Sequence, residues 1–117
     1  MKEIVIKISD YFDNKYTALV GRPNGEKLLD LLKKKSILLR DLEKEKDIIY
    51  IDIPSYILTM NKSFFLGFLE TRVQELGKEH FLKKYLFRNN EHISNLVEEK
   101  FVDAALSSSP PEEIINA

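Results

Sequence analysis

The chain contains no cysteine, which removes disulfides, thiol nucleophiles and thiolate metal ligands from consideration. It also lacks any apolar run near the roughly 18 residues of a membrane span. Met1 to Ile8 alternates charge with isoleucine and reads as neither a signal nor a transit peptide. No strong charge excess is present: 18 basic against 19 acidic residues give a formal net charge of -1. A nucleic-acid footprint needs a basic face, so none is expected. The two histidines, His80 and His92, form no His-x-x-x-His pair and have no carboxylate cluster at ligand spacing, so no metal site is expected. A cysteine-free, unanchored chain suits the reducing cytoplasm.

What is present fits one compact domain. The 117 residues are 44% hydrophobic and 32% charged, ordinary values for a globular protein. Glu3 to Ser9 reads as a strand, with Ile4, Ile6 and Ile8 on one face and Glu3, Val5 and Lys7 on the other. Tyr16 to Val20 reads as a short second strand, stopped by Gly21-Arg22-Pro23-Asn24-Gly25. Asp47 to Ile53 is the clearest strand. It is apolar on both faces, which predicts a central strand covered on both sides. Pro54 ends it, and Ser55 to Lys62 reads as a loop that Tyr56, Ile57 and Leu58 tuck down.

Helices are expected between these strands. One starts near Asn24, its N-cap, with Leu28, Leu31 and Leu32 on one face. Ile37, Leu38, Leu39 and Leu42 either prolong it or form a second short helix. Another runs from about Ser63 to Leu76, with Phe65, Phe68, Leu69, Val73 and Leu76 at helical spacing and Gly77 as its stop. Lys83 to Phe87 reads as a third main strand, and Glu91 to Leu106 as the last helix. Residues 1–106 form the domain, and 107–117, rich in serine and proline, read as a flexible tail. The fold class is α/β: a mixed, mostly parallel sheet of about four strands with three or four helices packed on it.

Three short motifs, in order, carry a family resemblance. They are Gly21-Arg22 followed by Gly25-Glu26-Lys27-Leu28; DIIYIDI followed by a loop and Ser63-Phe64; and Tyr85-Leu86-Phe87 with Asn89 before the last helix. Together these resemble the STAS domain of sulphate transporters and anti-sigma factor antagonists, and within it a STAS-like bacterial family of unknown function. The resemblance spans about residues 3–106. It implies a non-enzymatic regulatory protein whose partner is a GHKL-type ATPase or kinase. In anti-sigma factor antagonists that partner phosphorylates a serine at the start of the helix after the central strand. The matching position is Ser63. The usual motif there is an aspartate, two small residues and a glycine, whereas this chain has Asn61-Lys62-Ser63-Phe64. Ser63 is thus a candidate phosphoacceptor or partner contact, or simply the helix N-cap.

Around it, Tyr56, Thr59, Asn61, Lys62 and Phe64 are the candidate partner surface, with Phe64 either core or an exposed anchor. Gly21, Arg22 and Gly25 make a candidate loop anchor, or a plain turn into a helix. Lys33-Lys34-Lys35 and Lys83-Lys84 read as solvated surface. Asp52 ends a strand, but no base or nucleophile accompanies it. No catalytic residues and no cofactor are expected. The alternatives to a binding module are an assembly protein forming a homo-oligomer, such as a homodimer, and, after that, a small nucleotide binder or enzyme.

Overall fold

The structure is a computed structural model and describes residues 1–107; the tail expected over 107–117 lies, beyond Ser107, outside the described residues. Isoleucine-rich segments form the main sheet. Strands β1 (Glu3–Lys7), β3 (Ile48–Asp52) and β5 (Tyr85–Arg88) lie in that order, all parallel, with Ile6 opposite Ile51 and Ile51 opposite Phe87. Two shorter strands, β2 (Ala18–Leu19) and β4 (Thr59–Met60), form a separate parallel ribbon. The domain is thus α/β with parallel strands, as expected, but the strands divide into two sheets. β4 lies within the segment 55–62 that reads as loop from sequence.

Among the described residues six α-helices follow or link these strands: α1 (Arg22–Lys34), α2 (Leu39–Glu45), α3 (Lys62–Leu76), α4 (Lys78–Lys84), α5 (Glu91–Leu96) and α6 (Val102–Ser107). A π-helical turn, Val97–Phe101, joins α5 to α6 without a break. Asn24 does not cap α1. Gly21 is the N-cap, Arg22 and Pro23 open the helix, and the Asn24 side-chain Nδ2 donates to the Val20 carbonyl at 2.8 Å. Gly77, at φ 83°, ends α3 and starts α4 at once.

The sheet has one covered face. Ile49, Ile51 and Ile53 are fully buried with Ile6 and Ile8 under the helices. The opposite face carries Glu3, Val5, Lys7, Ile48, Tyr50 and Asp52, none of them buried. This corrects the expectation that β3 is covered on both sides. Neighbouring side chains supply the second cover: the Arg88 guanidinium sits 4.7 Å from the Tyr50 ring centre, and the Tyr50 hydroxyl is 3.5 Å from Glu3 Oε2.

The helix layer is organised by two glycines. A Cβ on Gly25 of α1 would lie 2.2 Å from the Phe64 carbonyl oxygen, and one on Gly67 of α3 would lie 2.3 Å from the Arg22 carbonyl oxygen. The two helices therefore touch backbone to backbone near their starts. Farther along α3, Arg72 stands in the apolar row that includes Phe65, Phe68 and Leu69, and it is buried. Glu43 of α2 receives it with two bonds, from Nε at 2.7 Å and Nη2 at 2.6 Å. Glu75 accepts from Arg72 Nη1 at 2.5 Å and from Arg40 Nη2 at 2.7 Å. The Tyr85 hydroxyl also donates to Glu43. The bond to Glu43 holds the guanidinium charged against the cost of burial. Burial, reinforced by the bond to Glu43, pushes the Tyr85 phenol well above its ordinary value. One carboxylate thus fastens α2 to α3 and β5; desolvation offsets much of the attraction within such a pair, and removal of one partner is strongly destabilising because it leaves the other charge buried alone.

The glycine contact generates a test. In a free helix Gly→Ala gains about 1 kcal/mol. Overlap with a carbonyl oxygen outweighs that gain at both buried glycines, so Gly25→Ala and Gly67→Ala should each cost about 3 kcal/mol in urea unfolding. Gly77, whose added Cβ would meet nothing within 4 Å, should cost about 1 kcal/mol on mutation to alanine, the strain of its positive φ.

Candidate functional site

The starts of α1 and α3 lie side by side because of the glycine contact, and Asn61 ties them. Asn61 is the N-cap of α3: its Oδ1 accepts from the Phe64 amide at 2.9 Å. The same oxygen accepts from the amide of Gly21, the cap of α1, at 3.1 Å. One side-chain oxygen therefore satisfies donors at the ends of two helices. The Asn61 amide donates to the Leu19 carbonyl at 3.0 Å, which fixes the residue to the β2–β4 ribbon. A second asparagine works nearby. Asn90 caps α5 through the Ile93 amide, and its own amide donates to the carbonyls of Pro54 at 3.1 Å and Ile57 at 2.7 Å.

Because Asn61 is the cap, Ser63 is not. Ser63 is the second residue of α3, it is exposed, and no hydrogen bond from its hydroxyl is found among the described residues. Lys62 beside it is exposed and makes no ion pair among the described residues. Both residues sit where the unpaired amides of α3 leave a partial positive charge. Thr59 is exposed on β4. Gly21, Arg22, Thr59, Asn61, Lys62 and Ser63 are thus gathered around the Asn61 bridge.

Three expected members are not available on this surface. Phe64 is fully buried, its ring edge-on to Phe12 with centroids 6.1 Å apart, because the fourth residue after the ribbon turns inward over the core. Gly25 is not a loop residue: it lies inside α1 and is a contact point for α3. Tyr56 is half-buried and packs against the core. Arg22 reaches Glu70 of α3 at 3.4 Å, so it braces the helix pair while remaining exposed.

The sequence reading missed the apolar part of this surface. Leu58, read as tucked in, is 69% exposed, and Val20 and Tyr16 are also exposed. Ile57 is the residue that turns in, through a tight turn in which its amide donates to Pro54 at 3.0 Å. The Leu58 amide donates to the Thr17 carbonyl at 2.7 Å, so Tyr16, Val20 and Leu58 all lie on or next to the ribbon.

The other charged groups do not converge here. Lys83 pairs with Glu79 at 3.1 Å, Lys84 donates to the carbonyls of Glu43 and Lys46, and Lys35 lies over the Tyr11 ring. Asp52 is 3.8 Å from Arg88 Nε. Among the described residues no group of three or more His, Asp or Glu is placed to hold a metal, and no helix is long and apolar enough to cross a membrane. Concavities of about 480 Å³ at Leu76–Lys83 and about 430 Å³ between α1, α2 and α3 lie away from Ser63. Comparison with protein-family models, with curated proteins and with solved structures finds no match for this chain.

The double role of Asn61 is testable. Asn61→Ala should cost about 2 kcal/mol, one cap bond and one bond to Gly21 being lost. Asn61→Asp keeps the acceptor and should unfold within about 0.5 kcal/mol of the wild type in urea.

Proposed function

We propose that this chain is a non-enzymatic regulatory module of the STAS-like kind, acting in the cytoplasm by binding a protein partner. The resemblance makes that partner a GHKL-type ATPase or kinase. The carrying observation is the pairing of exposed apolar side chains, Leu58 and Val20, with a Ser63 hydroxyl that caps nothing. A leucine 69% exposed beside a braced ribbon offers a partner apolar area at little ordering cost. Helix starts beside it add donors and positive charge suited to an acidic partner loop. A surface patch of this type supports protein recognition better than a small-molecule site, which is ordinarily concave.

Ser63 fits regulation by charge. A phosphate there would meet the helix field and Lys62 without removing any hydrogen bond that the fold uses. It would act by changing what the partner meets, and α3 would stay capped by Asn61. The position that usually holds aspartate is the one Asn61 occupies, so capping here is separated from the serine.

The test is affinity capture from the native host with mass-spectrometric identification, using wild type, Leu58→Glu, Ser63→Ala and Ser63→Asp. The reading predicts enrichment of a GHKL-type ATPase by the wild type, at least about tenfold less by Leu58→Glu, and a different yield for Ser63→Asp than for Ser63→Ala. Failure to enrich such an ATPase, or equal capture by all four chains, would contradict it.

A further inference from the structure

β1 is an edge of the main sheet, and only its inner side is paired. The Lys2 carbonyl accepts from the amides of Asp47 at 2.8 Å and Ile48 at 3.3 Å. Peptide groups alternate sides along a strand, so those of Lys2, Ile4 and Ile6 face β3, and those of Glu3, Val5 and Lys7 face outward. Among the described residues the outward groups of Glu3 and Val5 and the Lys7 N–H meet no backbone partner; the Lys7 carbonyl caps the short 3-10 turn Ile8–Asp10 that follows β1 and keeps a second lone pair for an incoming strand.

Edges are usually blunted by proline, a bulge or charges that repel a copy. β1 has no proline, its register with β3 runs unbroken from Glu3 to Lys7, and its two charges have opposite signs. The pattern Glu-Ile-Val-Ile-Lys is self-complementary about its centre. In an antiparallel pair with Val5 opposite Val5, Glu3 meets Lys7 twice and Ile4 meets Ile6 twice. The charged pairs fall on the open face and the isoleucine pairs on the core face. Hydrogen-bonded pairs recur at every second residue of an antiparallel ladder, so this register uses the outward groups of Glu3, Val5 and Lys7. A slip of one residue loses both the peptide pairing and the side-chain matching. β5, the other edge, carries Arg88 as its one charge and has no such symmetry.

We propose that a second copy of this chain adds antiparallel to β1, centred on Val5, and joins the two sheets into one continuous sheet. The partner is named by the edge itself: charge, apolar pattern and peptide direction each match their own twofold image. The interface lies on β1, so it stands or falls apart from the ribbon and Ser63.

Sedimentation velocity on the full chain tests this. The wild type should be a reversible dimer. Glu3→Lys and Lys7→Glu each put like charges opposite one another at both charged pairs, and each should raise the dimer dissociation constant at least about tenfold. An equimolar mixture of these two variants restores opposite charges at both pairs and should associate as the wild type does. The double variant Glu3→Lys/Lys7→Glu should do the same. Val5→Pro removes an outward donor only, so it should be monomeric and still folded by circular dichroism. A wild type monomeric up to about 1 mM, the weak limit of specific association, overturns the proposal. So does a dimer indifferent to the charge variants, or a mixture no tighter than its components.

Discussion

The backbone contact between α1 and α3 is the constraint on which the rest depends. Two helices approach this closely only where neither carries a side chain at the crossing, and Gly25 and Gly67 meet that condition. The crossing lies near both helix starts. It therefore delivers two sets of unpaired amides to one place, within reach of a single asparagine oxygen. Asn61 bridges Gly21 and Phe64 because the glycines bring them together. The exposed serine, lysine and ribbon residues follow from that geometry.

The fold and the surface are stabilised by different parts of the molecule. Farther along α3, Arg72, Glu43 and Tyr85 form a polar cluster under the surface, and the exposed Glu75 closes it from the solvent side, so that each charge is answered by another. That cluster positions α2 and β5, away from the exposed side chains at the helix starts. At the other end, Asn61 and Asn90 satisfy backbone groups of the loops entering α3 and α5. Rigid loops lower the ordering cost of binding. Ser63 and Leu58 can then change, by modification or mutation, without loss of the core.

Much of this was legible in the sequence where patterns are long. DIIYIDI, the α3 row from Phe65 to Leu76 and the stop at Gly77 all carry strong periodic or turn signals. The misses have physical reasons. β4 has only Thr59 and Met60, too short for a period of two to register. α4 buries only Phe81 among its seven residues, so Lys83-Lys84 was absorbed into the following strand. Asn61 and Ser63 are both good caps, and only the direction of Phe64 decides between them. Gly25 sat among turn residues and read as a loop, although an isolated glycine ahead of a leucine row is also the mark of close helix packing. Among Tyr56, Ile57 and Leu58, nothing in composition distinguishes the residue that turns in. Arg72 was readable in principle: a lone cation in an otherwise apolar helical row needs a buried partner.

We propose that a protein partner would meet the β2–β4 ribbon together with the starts of α1 and α3. The most direct measurement is a nitrogen-15 chemical-shift map of the chain titrated with whichever protein partner affinity capture identifies, expected to be a GHKL-type ATPase. The largest changes should fall on the amides of Tyr16 to Arg22 and Leu58 to Ser63, with α4, α5 and β5 unmoved. Changes centred on α4 or β5, with Leu58 and Ser63 unperturbed, would contradict it.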